Sequence, residues 1–220
     1  MRVIIAAAGG QSKWGGYLGV PSHLAPVDGR PLLARTVAQA LKLTADVHVT
    51  TPPDERYTAA VCEGAVQHVL AGPGISEYDS TRDLWSPNER TVLLYGDVYF
   101  TAAALQKIAG FNHPRYQCFG RAGRSRYTGC RYGEVFAASW WPAHHPLMDE
   151  HLARVADLRA RGEITRPTAW MLLRCWQGTP LNRHRVDRHW FSEINDLTED
   201  FDYPADYQRH PIVRRVVSRR

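Results

Sequence analysis

The chain has 220 residues, 44% hydrophobic and 22% charged, a composition that suits an ordinary globular domain with its own core and argues against a disordered chain. No apolar run approaches the ~20 residues of a membrane helix, and the N-terminal run enters Gly9-Gly10 without a cleavage pattern, so neither a span nor a signal peptide is read. The net charge is +5, and only three of the 27 basic residues are lysine: Lys13, Lys42 and Lys107. Cys62, Cys118, Cys130 and Cys175 form no CxxC or zinc spacing, which reads as reduced thiols in a cytoplasmic protein.

Taken in order, "RVIIAAA" reads as a buried strand ending at glycines. "RPLLARTVAQALKL" carries Leu33, Val37, Ala40 and Leu41 at helical spacing, with Pro31 in the first turn. "DVHVTTP" is a strand closed by Pro52-Pro53, and "YTAAVCEGAVQHVL" reads as a helix running into a strand. "GPGISEYDSTRDLW" is a glycine-punctuated loop leading into a short helix. "RTVLLYGDVYF" is the clearest strand, broken at Gly96-Asp97, and "TAAALQKIAGF" a helix with Thr101 as N-cap. Beyond it, "YQCFGRAG" and "GEVFAASWW" read as strands, "PLMDEHLARVADLRARG" and "TRPTAWMLLRCWQG" as helices. Strand–helix alternation over the first half implies a mostly parallel sheet covered on both faces. No repeat, linker or boundary divides the chain, so one α/β domain is expected over 1–220.

Strand, glycines, loop, then helix is the geometry of a phosphate site, because glycines let backbone N–H groups approach an anion beyond the strand's carboxyl end. The spacing fits neither a GK[ST] loop nor GxGxxG. A plain structural turn is the alternative.

"IIAAAGGQSKWGG…VPSHLAPVDGRPLLARTV" resembles the sugar-phosphate nucleotidyltransferases and MobA-like NTP-transferases, on the Rossmann-like GT-A nucleotide-sugar fold. Their signature runs A-A-G-x-G-[ST]-R-M and then P-K-x-L-x-P-[VI]-x-G-[KR]-P-L-[LI]. The first part falls on Ala7 to Trp14 and the second on Pro21 to Leu33. The resemblance implies a nucleotide-binding half, 1–110, with Ala7, Ala8, Gly9 and Gly10 against the nucleotide, and an acceptor-side half, 111–220. It makes Lys13 the phosphate cation, where the family has arginine. Two positions depart: Gln11 replaces a loop glycine, and Ser22 replaces the lysine of P-K-x-L. Nucleotidyl transfer relies on electrostatic stabilisation of phosphate charge. Losing one cation therefore tilts the reading toward glycosyl transfer from a nucleotide-sugar donor, with nucleotidyl transfer as the alternative.

Asp97, just past a buried strand, occupies the family's first metal position, for Mg²⁺ or Mn²⁺. "EINDLTEDFDYPADY" resembles the closing motif, with Asp202 as second ligand and Asp206 capping the next helix. Glu193 and Asp196 are candidate general bases toward an acceptor. Ser80 and Thr81 are candidate base readers, and helix capping fits them equally well. Arg121, Arg124, Arg126 and Arg131, with the tail "RHPIVRRVVSRR", suit a polyanion, which makes a modified base in DNA a candidate acceptor. The combination "VPSHLAPVDGRPLLARTV…STRDLW…LLYGDVYFT" resembles proteins of phage genomes. Trp140, Trp141, Trp170 and Trp176, with His144 and His145, are candidates for the acceptor side or for core. A third reading keeps the fold as a non-catalytic nucleotide- or DNA-binding module, against which the paired carboxylates speak.

Overall fold

A computed structural model describes residues 1–58, 61–72, 74, 76–166 and 168–217. In chain order the elements are β1 (Arg2–Ala6), β2 (Pro26–Val27), β3 (Arg30–Pro31), α1 (Leu32–Ala40), β4 (Val47–Thr51) and β5 (Val66–Val69). Then come α2 (Glu77–Ser80), β6 (Thr91–Tyr95), β7 (Val98–Tyr99), α3 (Ala102–Gly110), β8 (Gln117–Arg121) and β9 (Glu134–Trp140). The last third holds α4 (His145–Ala160), α5 (Ala169–Gln177), β10 (Phe191–Glu193), β11 (Glu199–Asp200), α6 (Pro204–Arg209) and α7 (Pro211–Val217).

Seven strands form one sheet in the order β10-β8-β9-β6-β1-β4-β5. β1, β4, β5 and β6 run parallel, and β9 runs antiparallel to both its neighbours, β6 and β8. The alternation of β1 sorts its side chains between two cores. Val3 and Ile5 pack with Leu33 and Val37 of α1 and Leu105 and Ile108 of α3. Ile4 and Ala6 pack with Met148 and Leu152 of α4 and Leu172 and Trp176 of α5. This is a single α/β domain with a mostly parallel sheet between helical layers. Thr101 caps α3 as its position suggests, its Oγ1 accepting from the Ala104 N–H at 3.0 Å.

One segment differs from its sequence reading. Residues 61–64 form a turn and not a helix, because Gly64 sits at φ +82°, outside helical space; Ala59 and Ala60 lie outside the described residues. The tail's Ser218, Arg219 and Arg220 also lie outside them. No helix among the described residues is long and apolar enough to cross a membrane.

A third, smaller cluster positions the site. Trp14, Ala25, Val27, Leu32, Tyr99, Phe201 and Tyr207 bury together, so the loop after β1 packs directly on the segment near the C-terminus. Trp14 is the anchor: it is 1% exposed, and its indole N–H reaches the Tyr17 and Val20 carbonyls at 2.9 and 2.7 Å. Its ring meets Tyr207 edge-to-face at 5.8 Å.

Candidate active site

A cleft of about 530 Å³ opens beyond the carboxyl ends of β1 and β6, where ligands sit in open α/β sheets. Gly9, Gly10, Lys13, Asp97, Asp200 and Asp202 all line it. The loop backbone fronts open space: a Cβ at Gly10 would meet nothing within 4 Å, and one at Gly9 only Glu77 Oε1 at 3.9 Å. Ala7 and Ala8 are buried behind the loop, and the Ala7 N–H is spent on the Thr50 carbonyl at 2.9 Å.

Two structural details bring the aspartates together. Gly96 lets β6 turn tightly against β1, its N–H bonding the Ala6 carbonyl at 2.9 Å. A Cβ there would lie 2.7 Å from Ala7 Cβ and 2.9 Å from the Ala6 oxygen. Gly96→Ala is therefore expected to cost about 1–3 kcal/mol of stability and to displace Asp97, read as a lower urea midpoint together with weaker Mg²⁺ binding. The second detail is the short antiparallel pair β7–β11, which matches Asp200 with Val98 and Glu199 with Tyr99. The Phe201 N–H then bonds the Asp97 carbonyl at 3.0 Å. Phe201 turns into the small core while Asp200 and Asp202, two residues apart, share the other side, as extended backbone requires.

The result is three half-buried carboxylates, Asp97, Asp200 and Asp202, with oxygen atoms within 4.8 Å of one another. Burial and then the Asp202 charge push the Asp97 carboxyl up to about 7. Burial and then the Asp97 charge hold Asp200 well above the usual carboxylate range. Glu77 and Glu134 also line the cleft and are raised mainly by burial, Glu134 to about 7. Lys13 is ion-paired with Asp202 and lies 5.4 Å from the Tyr203 ring centroid. Burial alone would lower the Lys13 pKa, and its hydrogen bond to Asp202 reverses that and raises it. The donor set fits a hard divalent cation: it is all carboxylate oxygen, and Asp200 Oδ1 is buried without a hydrogen-bond partner among the described residues.

The two departures from the fingerprint prove to be partners. Gln11 Oε1 accepts from both the N–H and the hydroxyl of Ser22, each at 2.7 Å. A backbone N–H can only donate, so the amide's orientation is fixed and Nε2 is the donor toward His23 Nε2 at 3.4 Å. His23 must then carry its proton on Nδ1, which reaches Tyr57 Oη at 2.7 Å. The whole wall is neutral, since burial pushes His23 down to about 4. His210, buried against Tyr99 and Phe201, is likewise lowered to about 4 by burial.

These histidines predict an acid sensitivity. Between the ordinary 6.5 and about 4 the unfolded chain binds protons that the folded chain refuses. Their stabilisation is complete above pH 6.5 and drains away as pH falls toward 4, on the order of 3 kcal/mol for each histidine. Asp97 and Glu134, raised to about 7, act with the opposite sign and gain stability as pH falls. The histidine contribution is therefore read as a difference: in urea unfolding at pH 7.5, 5.5 and 4.5 a His23→Gln/His210→Gln variant is expected to lose less stability on acidification than the wild type.

The other candidates are placed as follows. Ser80 and Thr81 hydroxyls turn back onto the Glu77 carbonyl, at 3.2 and 2.7 Å. Glu193 and Asp196 lie outside the cleft lining. Asp196 accepts from the Thr101 hydroxyl and, at 2.8 Å, from the Thr198 N–H, while the Glu193 carbonyl takes the Lys107 ammonium. Asp206 accepts the Tyr203 N–H at 3.0 Å, at the start of α6. Arg121 is 7% exposed and pairs with buried Glu199, which takes it out of any surface arginine patch. Of the four tryptophans considered, Trp170 lines the cleft, and Trp140 and Trp176 are core. Sequence reasoning did not assign Asp200, Glu77 or Glu134; the D-F-D alternation at 200–202 was the available signal for the first.

The fold and cleft define a single α/β domain with a mostly parallel sheet and a carboxylate-lined cleft beyond the carboxyl ends of its strands. No family model matches the chain. It is 33% identical over 212 residues to the bifunctional protein GlmU of Burkholderia multivorans, covering 90% of this chain and 44% of that protein. It is 35% identical over 115 residues to GlmU of Burkholderia thailandensis, covering 50% and 25%. The chain thus spans less than half the length of these curated relatives. Among solved structures, it superposes at TM-score 0.62 and 16% identity on a protein assigned as a glucose-1-phosphate thymidylyltransferase of Bacillus anthracis, over 97% of this chain and 95% of that one. For the CTP:phosphocholine cytidylyltransferase LicC of Streptococcus pneumoniae the values are 0.63 and 12%, over 98% of both chains. For a UDP-glucose pyrophosphorylase they are 0.64 and 10%, over 100% of both.

Proposed function

We propose that this chain transfers a nucleotidyl group from a nucleoside triphosphate to a phosphate-bearing acceptor and releases pyrophosphate. The observation that carries this reading is the convergence of the fingerprint loop, Gly9 to Lys13, and the Asp97–Asp200–Asp202 trio on one cleft. The structures sharing the fold include enzymes whose names describe nucleotidyl transfer to sugar phosphates or phosphocholine.

An acceptor phosphate oxygen attacks the α-phosphorus, the α–β bridging P–O bond breaks, and the β- and γ-phosphates leave together. The chain's part is positioning and charge. The loop backbone at Gly9 and Gly10 lies against the phosphates. Lys13, ion-paired with Asp202, presents its ammonium to phosphate oxygens and offsets the charge gathering on the leaving group. Asp97, Asp200 and Asp202 would hold Mg²⁺ or Mn²⁺, and such an ion would supply charge neutralisation to the phosphates. Residues 6–98 of the cleft then form the nucleotide side and residues 134–202 contribute the acceptor side.

Glycosyl transfer from a nucleotide-sugar is the second reading, favoured by the neutral Ser22. Its weight falls because Ser22 and Gln11 form a satisfied pair, so that the missing lysine is an accommodated exchange and not a broken site. A DNA acceptor on the arginine loop loses Arg121 to the interior. The test is an inorganic-pyrophosphatase-coupled assay with Mg²⁺, each nucleoside triphosphate and a panel of sugar 1-phosphates and phosphocholine. Acceptor-dependent pyrophosphate release is expected; its absence, alongside hydrolysis of a nucleotide-sugar, would move the reading to glycosyl transfer.

A further inference from the structure

We infer that the cleft has moved its phosphate-binding cations across to its other wall: Arg159 and Arg166, at the end of α4 and in the segment before α5, bind a phosphate group of a substrate. This inference rests on the proposed nucleotidyl-transfer site. The two walls of the cleft differ in charge. On the loop side the Gln11–Ser22–His23 wall is neutral, and the single cation, Lys13, faces Asp202. Yet five carboxylates line the cleft: Glu77, Asp97, Glu134, Asp200 and Asp202. A triphosphate or a phosphomonoester entering such a space needs positive charge from somewhere besides a metal ion.

The cleft's remaining cations are Arg159 and Arg166, both exposed. Neither guanidinium has an acidic partner or a hydrogen bond among the described residues. Their neighbour Arg161 makes the contrast: it is tied to Asp157 at 3.3 Å and to Glu163 at 2.9 Å, and it does not line the cleft. So within one stretch the arginine facing away is neutralised, and the two facing the cleft are left with free guanidinium forks. A guanidinium matches two phosphate oxygens at once, which a lysine cannot do. Thr165 lines the same wall and adds a hydroxyl. The shared ligand chemistry is a phosphate dianion, either the β,γ-end of the triphosphate or the phosphate of the acceptor.

The experiment titrates the wild type and an Arg159→Gln/Arg166→Gln variant, in Mg²⁺, with inorganic pyrophosphate and with glucose 1-phosphate, by calorimetry. The variant is expected to lose about 10–100-fold in affinity for at least one probe, with the Mg²⁺ titration itself unchanged and Arg→Lys variants intermediate. Loss toward pyrophosphate assigns the arginines to the triphosphate end; loss toward glucose 1-phosphate assigns them to the acceptor. A Gln11→Gly/Ser22→Lys change added to the variant should recover affinity by restoring a cation on the loop side. Equal affinities in wild type and variant, or a wild type that binds neither probe, would overturn the inference. Failure of the proposed function looks different: phosphate binding that depends on both arginines, with no nucleotidyl transfer in any substrate pair.

Discussion

Asp97→Asn is expected to lower metal-dependent turnover by about 10²–10³-fold and, at the same time, to make the metal-free protein more stable. Both effects have one cause. Three carboxylates lie within 4.8 Å of one another in a half-buried pocket, and Asp97 is the one whose charge is opposed by burial first and by Asp202 next. Like charges at this separation repel, and burial weakens the water that would screen them. An amide keeps the shape and removes the charge. The gain should be about 1–2 kcal/mol, roughly 2–8 °C in melting temperature for a chain of this size. The Mg²⁺-induced rise in melting temperature should shrink in the variant, because the ligand set has lost a charged oxygen. A variant that is less stable without metal, or equally stabilised by Mg²⁺, would contradict the assignment of Asp97. Asp200→Asn is expected to behave in the same way, since Asp200 Oδ1 is buried and unpaired.

Lys13→Ala is expected to cost about 10²–10³-fold in kcat/KM, again with a structural signature of its own. Removing the ammonium takes away the sole cation paired with the carboxylate trio among the described residues. Asp202 is then left beside Asp97 and Asp200, so Mg²⁺ should bind more tightly to the variant while catalysis falls. Lys13→Arg separates charge from shape. Arginine grips phosphate with a planar fork, so this variant should retain most activity where the role is phosphate binding. Full loss in Lys13→Arg would instead assign Lys13 to holding Asp202. Stopped-flow or steady-state kinetics with a parallel Mg²⁺ titration reads both quantities.

Much of the sheet was legible because its strands are short apolar runs punctuated by glycine and proline. "RVIIAAA", "DVHVTTP" and "RTVLLYGDVYF" became β1, β4 and β6–β7. The helix expected near Val61 did not form because Gly64 adopts a positive φ, which an i, i+3, i+4 pattern cannot register. At the site, Gly9 and Gly10 were named by the strand–glycine–helix pattern, and Lys13, Asp97 and Asp202 by the family resemblance; all five fall on one cleft. Asp200 was passed over because an acidic run does not say which carboxylate faces inward; the D-F-D alternation puts Asp200 on the same side as Asp202, and the register of β11 on β7 fixes which side that is. The Gln11–Ser22 bond joins residues 11 apart in sequence across a loop, and each residue alone looks like a loss. Arg159 and Arg166 were invisible for a similar reason. They belong to no motif, and the arginines that cluster in sequence, around Arg121, are partly interior.

The most direct test runs the proposed reaction backwards. Purified protein is given Mg²⁺, labelled pyrophosphate and, one at a time, UDP-, dTDP-, CDP-, ADP- and GDP-sugars, and the label is followed into nucleoside triphosphate. Nucleotidyl transfer predicts labelled triphosphate from at least one donor, lost in Asp97→Asn and in Lys13→Ala. Release of free sugar and nucleoside diphosphate without labelled triphosphate would contradict it, and would mean that the same cleft breaks the glycosidic bond instead.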